Sequence, residues 1–103
     1  MPINQTARFR VRPEAVEKCQ AAIAEFVREV NAREPRTLLY SAWQDAEDPT
    51  SFVHFFVFQD EAARELHRGT EWVKRFTGVL YPETLDGVEF RFYQQVATTA
   101  PRP

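Results

Sequence analysis

The chain has 103 residues, of which 44% are hydrophobic and 27% charged, with a net charge of −2. That length suffices for one domain with a real core, and the mixed signs along the chain exclude a basic nucleic-acid footprint or a polybasic membrane patch. No apolar run approaches the roughly 20 residues of a membrane span, and the single cysteine, Cys19, cannot form an internal disulfide. The start MPINQTARFR lacks the apolar stretch of a signal peptide, so a cytoplasmic protein is expected, with neither nucleic acid nor membrane as partner. The unusual quantity is aromatic content: nine Phe, three Tyr and two Trp need burial somewhere.

In TARFRVR, Ala7, Phe9 and Val11 alternate with Arg8, Arg10 and Arg12, the period of a half-buried strand. Pro13 then suits a first helical turn, and Glu14 and Glu17 suit the positive end of a helix dipole. Val16, Cys19, Ile23, Phe26, Val27 and Val30 fall in one stripe at helical spacing, with Arg28, Glu29, Arg33 and Glu34 mainly outside it, and Pro35 ends the helix. RTLLYSAWQD and SFVHFFVFQD flank the turn signal AEDPT and predict an antiparallel hairpin. EAARELHR and TEWVKRF predict a short second helix, interrupted at Gly69 and restarted with Thr70 as N-cap. There Val73 and Phe76 would face the sheet, and His67 and Trp72 would flank that face at a pocket rim. GVLYPETLDG, with Gly78, Pro82 and Gly87, reads as loop, and Val88 to Thr98 as a last strand. Residues 1–98 then form a single domain and 99–103 a flexible tail.

The order β-α-β-β-α-β predicts an α+β, ferredoxin-like fold, a four-stranded antiparallel sheet with the helices on one face. The hairpin adds a requirement. Phe52, Phe56 and Phe58 point one way and Val53, Phe55 and Val57 the other, and LLYSAW is likewise apolar on both parities. A sheet wetted on one side shows polar residues on one parity. The two helices cover one face, so a second copy packed face to face is the expected cover for the other, giving a homodimer, a dimeric α/β barrel.

The string FRVRPEAVEKCQAAIAEFVREVNAREPRTLLYSAWQDAEDPTSFVHFFVFQDEAARELH resembles the antibiotic biosynthesis monooxygenase (ABM) family. It runs in that family's order: a strand, a helix opening at Pro, a strand ending in Asp, an x-D-P turn, a strand ending near an acidic pair, then EA…H. The resemblance covers Ala7 to about Phe76 and the final strand. His67 matches the family's histidine, Thr70 its capping hydroxyl, Val73 an aromatic position and Phe76 the closing Phe. Phe58 replaces the usual Trp or other large ring at the end of the third strand, and Phe56 a common charged residue. Haem-degrading relatives use an Asn and a His where this chain has Ala7 and Phe76, so the resemblance implies no haem.

The resemblance implies oxygenation of a phenolic, quinol or aromatic polyketide-type substrate by O2 without flavin, haem or metal, hence no cofactor. Such chemistry needs a base, donors for an oxyanion and a dry aromatic slot. His67 and His54 are the candidate bases, since imidazole titrates near neutrality. A helix-end cap is the structural alternative for His67, and a satisfied core or interface residue for His54. Trp72, Tyr40, Trp43 and Tyr93 offer rings and donors for substrate binding, or belong to the core. Arg8, Arg10 and Arg91 would share one sheet face with Glu89 and Tyr93, and a guanidinium there, such as that of Arg91, could fix a phenolate or carboxylate, or serve in inter-strand or inter-subunit salt bridges with Glu89. Cys19 reads as a small core residue. The competing functions are a non-catalytic dimer that binds a small ligand or serves as a stress or accessory protein, and an isomerase or cyclase on the same fold.

Overall fold

A computed structural model of the protein describes residues 1–99; most of the expected tail, 100–103, lies outside the described residues. The first strand, β1 (Ile3–Val11), leads through a 3-10 turn (Pro13–Ala15) into α1 (Val16–Arg33). The hairpin strands follow as β2 (Thr37–Gln44) and β3 (Ser51–Phe58), then α2 (Glu61–Arg68) and α3 (Glu71–Leu80). A second 3-10 turn (Tyr81–Glu83) delivers the chain to β4 (Thr84–Tyr93). The four strands form one antiparallel sheet in the order β2-β3-β1-β4, the ferredoxin-like arrangement predicted from the sequence.

Register divides the side chains into two faces. Ala7 stands between His54 of β3 and Phe90 of β4, and His54 opposite Ala42 of β2, so these residues share the face covered by the helices. The stripe of α1 packs there: Cys19, Ile23, Phe26 and Val30 join Phe9, Val11, Phe52, Phe76 and Leu80 in one buried cluster. Phe26 lies parallel to Phe76, ring centroids 4.5 Å apart, which fixes α1 against α3. The opposite face carries Leu39, Trp43, Val53, Phe55 and Val57, with Arg8, Arg10, Glu89, Arg91 and Tyr93 toward its β1–β4 side.

The break between α2 and α3 has the predicted chemistry. Thr70 Oγ1 accepts from the Val73 N–H and donates to the His67 carbonyl, joining the end of one helix to the start of the next. Asp60 caps α2 by accepting from the Ala63 N–H, and its carboxylate also takes two bonds from the Arg36 guanidinium at 2.6 and 2.9 Å.

The expected loop at Gly78–Gly87 is corrected by the structure. Helix α3 runs through Gly78 to Leu80, because Val73, Phe76 and Leu80 extend one apolar stripe and Gly78 sits exposed with no neighbour within 4 Å of a built Cβ. Strand β4 also begins at Thr84 instead of Val88 and ends at Tyr93 instead of Thr98. Leu85 pairs with Arg10 and Val88 with Phe9, so Asp86 and Gly87 bulge out between them, with φ of 64° and 74°. Glu83, buried at the base of this strand, accepts from Arg12 and Lys18 and ties the start of β4 to the end of β1 and the first turn of α1. Among the described residues no helix is long and apolar enough to cross a membrane.

Candidate active site

Between the helices and the inner face of the sheet lies a cavity of about 480 Å3. Its floor is aromatic, with Phe9, Phe26, Phe56, Phe58 and Phe76 buried around it. Its mouth opens toward β4, where the lining residues Phe90 and Phe92 are 52% and 59% exposed because β4 is an edge strand that the helices do not reach across. This size and character suit one small ring-bearing molecule.

Both histidines line the cavity. His67 comes from the last turn of α2 and is buried in the wall, not set at the rim. Its ring lies 5.1 Å from that of Phe58 and 5.8 Å from that of Phe26, with Tyr40 and Phe56 slightly farther. Its Nδ1 stands 2.8 and 3.1 Å from the two carboxylate oxygens of Glu34. Glu34 is the C-cap of α1 and only 4% exposed. Burial pushes its carboxyl up, but donors from His67, Trp72 and Thr37 more than reverse this and hold it below the ordinary glutamate value. Trp72 Nε1–H donates at 2.5 Å and Thr37 Oγ1–H at 2.7 Å. An ionised Glu34 accepts only, so Nδ1 of His67 carries a proton, and in the neutral imidazole the lone pair is the one at Nε2. No protein group among the described residues bonds that nitrogen. A carboxylate–imidazole dyad in an aromatic cavity is an arrangement for accepting a proton.

His54 is different. It is 1% exposed, and burial pushes its imidazole down to about 4, so it is neutral near pH 7. Tyr40 Oη lies 2.7 Å from its Nδ1. Burial, with Glu34 and Tyr81 adding to it, pushes the Tyr40 phenol well above its ordinary value, so the hydroxyl keeps its proton. If Tyr40 donates to Nδ1, its hydroxyl hydrogen is satisfied; in the reverse sense that hydrogen would be buried without an acceptor. The first costs less. His54 then holds its proton on Nε2, which is buried without a partner, as is Gln5 Oε1 on the same lining. Unpaired buried polar atoms cost about 1–3 kcal/mol each, so two of them on residues that line one cavity need a functional or structural reason; a third, Thr6 Oγ1, lies on the other sheet face.

Of the seven residues singled out from sequence, the fold brings His67, His54 and Tyr40 onto the cavity. Trp72 stands behind His67, holding Glu34. Trp43, Arg91 and Tyr93 lie on the other sheet face and do not line this cavity. Arg91 there bonds Glu89, two residues before it on the same strand, at 3.0 Å, where the alternative weighed was a bridge between strands or subunits. Glu34 was missed. An acid at the negative end of a helix opposes the dipole and needs donors to sit there, and that mismatch was its one visible signal. Among the described residues no three His, Cys, Asp or Glu side chains gather closely enough to hold a metal ion.

Comparison with known proteins gives a match between residues 2–78 and the profile of a family, antibiotic biosynthesis monooxygenase. No curated protein matches the chain. Among solved structures, an antibiotic biosynthesis monooxygenase is 24% identical over 92% of this chain and 99% of its own, with a TM-score of 0.84. A Bacteroides thetaiotaomicron protein placed provisionally in the same group is 20% identical, covers 99% and 96% of the two chains, and has a TM-score of 0.90. A Pseudomonas aeruginosa protein is 25% identical over 93% of this chain and 95% of its own, with a TM-score of 0.82.

Proposed function

The chain is a member of the antibiotic biosynthesis monooxygenase family, and from that premise we propose that it is a cofactor-independent monooxygenase acting on a phenolic, quinol or aromatic polyketide-type substrate. The observation that carries the reading is the Glu34–His67 dyad, whose unbonded Nε2 belongs to an aromatic cavity. His67 takes the phenolic proton, and Glu34 steadies the imidazolium that results. His54 Nε2–H serves as donor to the phenolate oxygen, held in that tautomer by Tyr40. His54 is thus assigned the oxyanion in place of the base role considered from sequence.

The ring anion supplies the electrons that reduce O2. A carbon–oxygen bond forms at a ring carbon that bears hydrogen, and the imidazolium returns its proton to the peroxide oxygen. Breaking the O–O and C–H bonds then releases water and leaves a carbonyl on the ring, so one oxygen atom stays in product and one leaves as water. The test is oxygen consumption with a panel of hydroquinones and anthrones, with 18O2 tracing one labelled atom into product. Turnover unchanged in His67→Ala would refute the assignment of the base.

The outer face of the sheet carries the second half of the reading. Trp43 is 63% exposed, and Leu39, Val53, Phe55 and Val57 lie on the same face. A second copy of this sheet supplies a matching apolar surface, giving a homodimer whose two cavities lie outside the shared interface.

A ligand-carrying role without turnover is the competing reading, favoured by the phenylalanine lining on β3. It predicts thermal stabilisation by aromatic ligands with no oxygen consumed.

A further inference from the structure

The cavity lining holds three side chains of fixed charge, Arg64, Arg68 and Lys74, and no carboxylate. In a chain with 15 acidic and 13 basic residues, selection of one sign by a single cavity is not the average surface. The three occupy one side of the mouth. Arg64 and Arg68 are one turn apart on α2, and Lys74 lies in the first turns of α3. The Arg64 guanidinium also stands 5.3 Å over the ring of Phe92, which joins α2 to the edge strand across the opening. Glu61 and Glu65 bond Arg64 and Arg68 at 2.7 and 3.3 Å, but neither acid lines the cavity. Lys74 forms no salt bridge among the described residues. A cation beside an apolar slot has low-dielectric wall on one side, which concentrates its field at the opening.

We propose that the molecule received by this cavity is an aromatic acid: its ring lies among the phenylalanines, and a carboxylate or similar oxyanion meets Arg68 and Lys74 at the mouth, with Arg64 behind them. This rests on the reading that the cavity is the substrate site, and it adds the second pole of the substrate. The His67 end handles the phenolic hydroxyl, and the α2–α3 rim orients the ring by its charge. A bidentate guanidinium contact gives direction as well as attraction, so the acid group also decides which ring carbon faces the dyad.

Calorimetric titration under argon with 2-naphthoate and its neutral counterpart 2-naphthamide tests the charge requirement in molecules of nearly equal size. At low salt the naphthoate is expected to bind about tenfold more tightly, and the preference shrinks as salt rises. In the double variant Arg68→Gln, Lys74→Gln the ratio of the two affinities falls toward one, and Arg68→Lys, Lys74→Arg restores most of it. Equal binding of both probes, a preference that survives the glutamine variant, or no binding of either overturns the inference. Oxygen consumption with 1,4-dihydroxy-2-naphthoate and 1,4-dihydroxynaphthalene separates this from the catalytic reading. A charge preference in binding without oxygen consumption sinks the monooxygenase and leaves the aromatic acid standing. Equal turnover of the two quinols in wild type does the reverse.

Discussion

Glu34→Gln removes one charge from behind the wall of the cavity, where it supports His67, while keeping the side chain's length. In the native protein the carboxylate accepts from three donors, His67, Trp72 and Thr37. An amide offers one oxygen and one NH2, so one flank becomes donor against donor. Thr37 can turn its hydroxyl to accept, which leaves the oxygen for Trp72. Bonds to a charged acceptor are worth about 1.5–3 kcal/mol and neutral ones about 0.5–1.5, so weakening this set costs roughly 2–4 kcal/mol of stability. The amide also no longer demands a proton on His67 Nδ1. If the NH2 donates to Nδ1, the proton moves to Nε2 and the base becomes a donor. Turnover is then expected to fall by about 10²–10⁴, the usual contribution of a positioned general base.

Urea unfolding reads the first effect and oxygen consumption the second. The pH dependence supplies a third. Because the folded Glu34 titrates below its ordinary 4.5, its contribution is complete above that value and is lost as pH falls through the folded value. The variant lacks that loss. A Glu34→Gln protein with native stability, native pH response and full turnover would refute the reasoning about the dyad.

His54 adds an acid sensitivity at higher pH. Its imidazole is lowered from 6.5 to about 4, so the unfolded chain binds the proton first; stability is complete above pH 6.5 and drops by about 3 kcal/mol as pH falls to about 4. His54→Phe should flatten the urea midpoint over that window, and an unchanged slope would place the titration elsewhere. Thr70→Ala removes the N-cap of α3 and should cost about 1 kcal/mol in chemical unfolding. Trp43→Asp puts a charge on the proposed interface: sedimentation should show a dimer for wild type and a monomer for the variant, and a wild-type monomer at micromolar concentration would dismiss the interface.

The elements were legible where one physical signal dominated. The stripe from Val16 to Val30 could pack only as a helix face, and β3 showed its two parities directly, Phe52, His54, Phe56 and Phe58 on one and Val53, Phe55 and Val57 on the other. Gly69 and Thr70 announced the broken helix through cap chemistry that needs no tertiary partner. Gly78 and Pro82 misled because both commonly mark loops; the buried Leu80, seven residues after Val73, was the stronger indication. The site was harder. His67 could be named, but its partner is 33 residues away and reaches it only after α1 and α2 have docked. The roles of Tyr40 and His54 depend on which of two neighbours gives its proton, a matter of pairing and burial that the order of residues does not state. Trp43, Arg91 and Tyr93 have suitable chemistry, but they lie on the outer face of the sheet, away from the cavity.

The two left-handed residues Asp86 and Gly87 set a reading frame for the strand that follows them. An even insertion leaves Val88, Phe90 and Phe92 turned toward the helices and Glu89, Arg91 and Tyr93 away. Had the kink been one residue shorter, with Thr84 and Leu85 still anchored, the two sets would trade places, and an acid, a guanidinium and a phenol would replace the greasy lip of the opening. Relatives of this fold can therefore change the polarity of their entrance by altering the length of one corner, without substituting any residue of the strand itself.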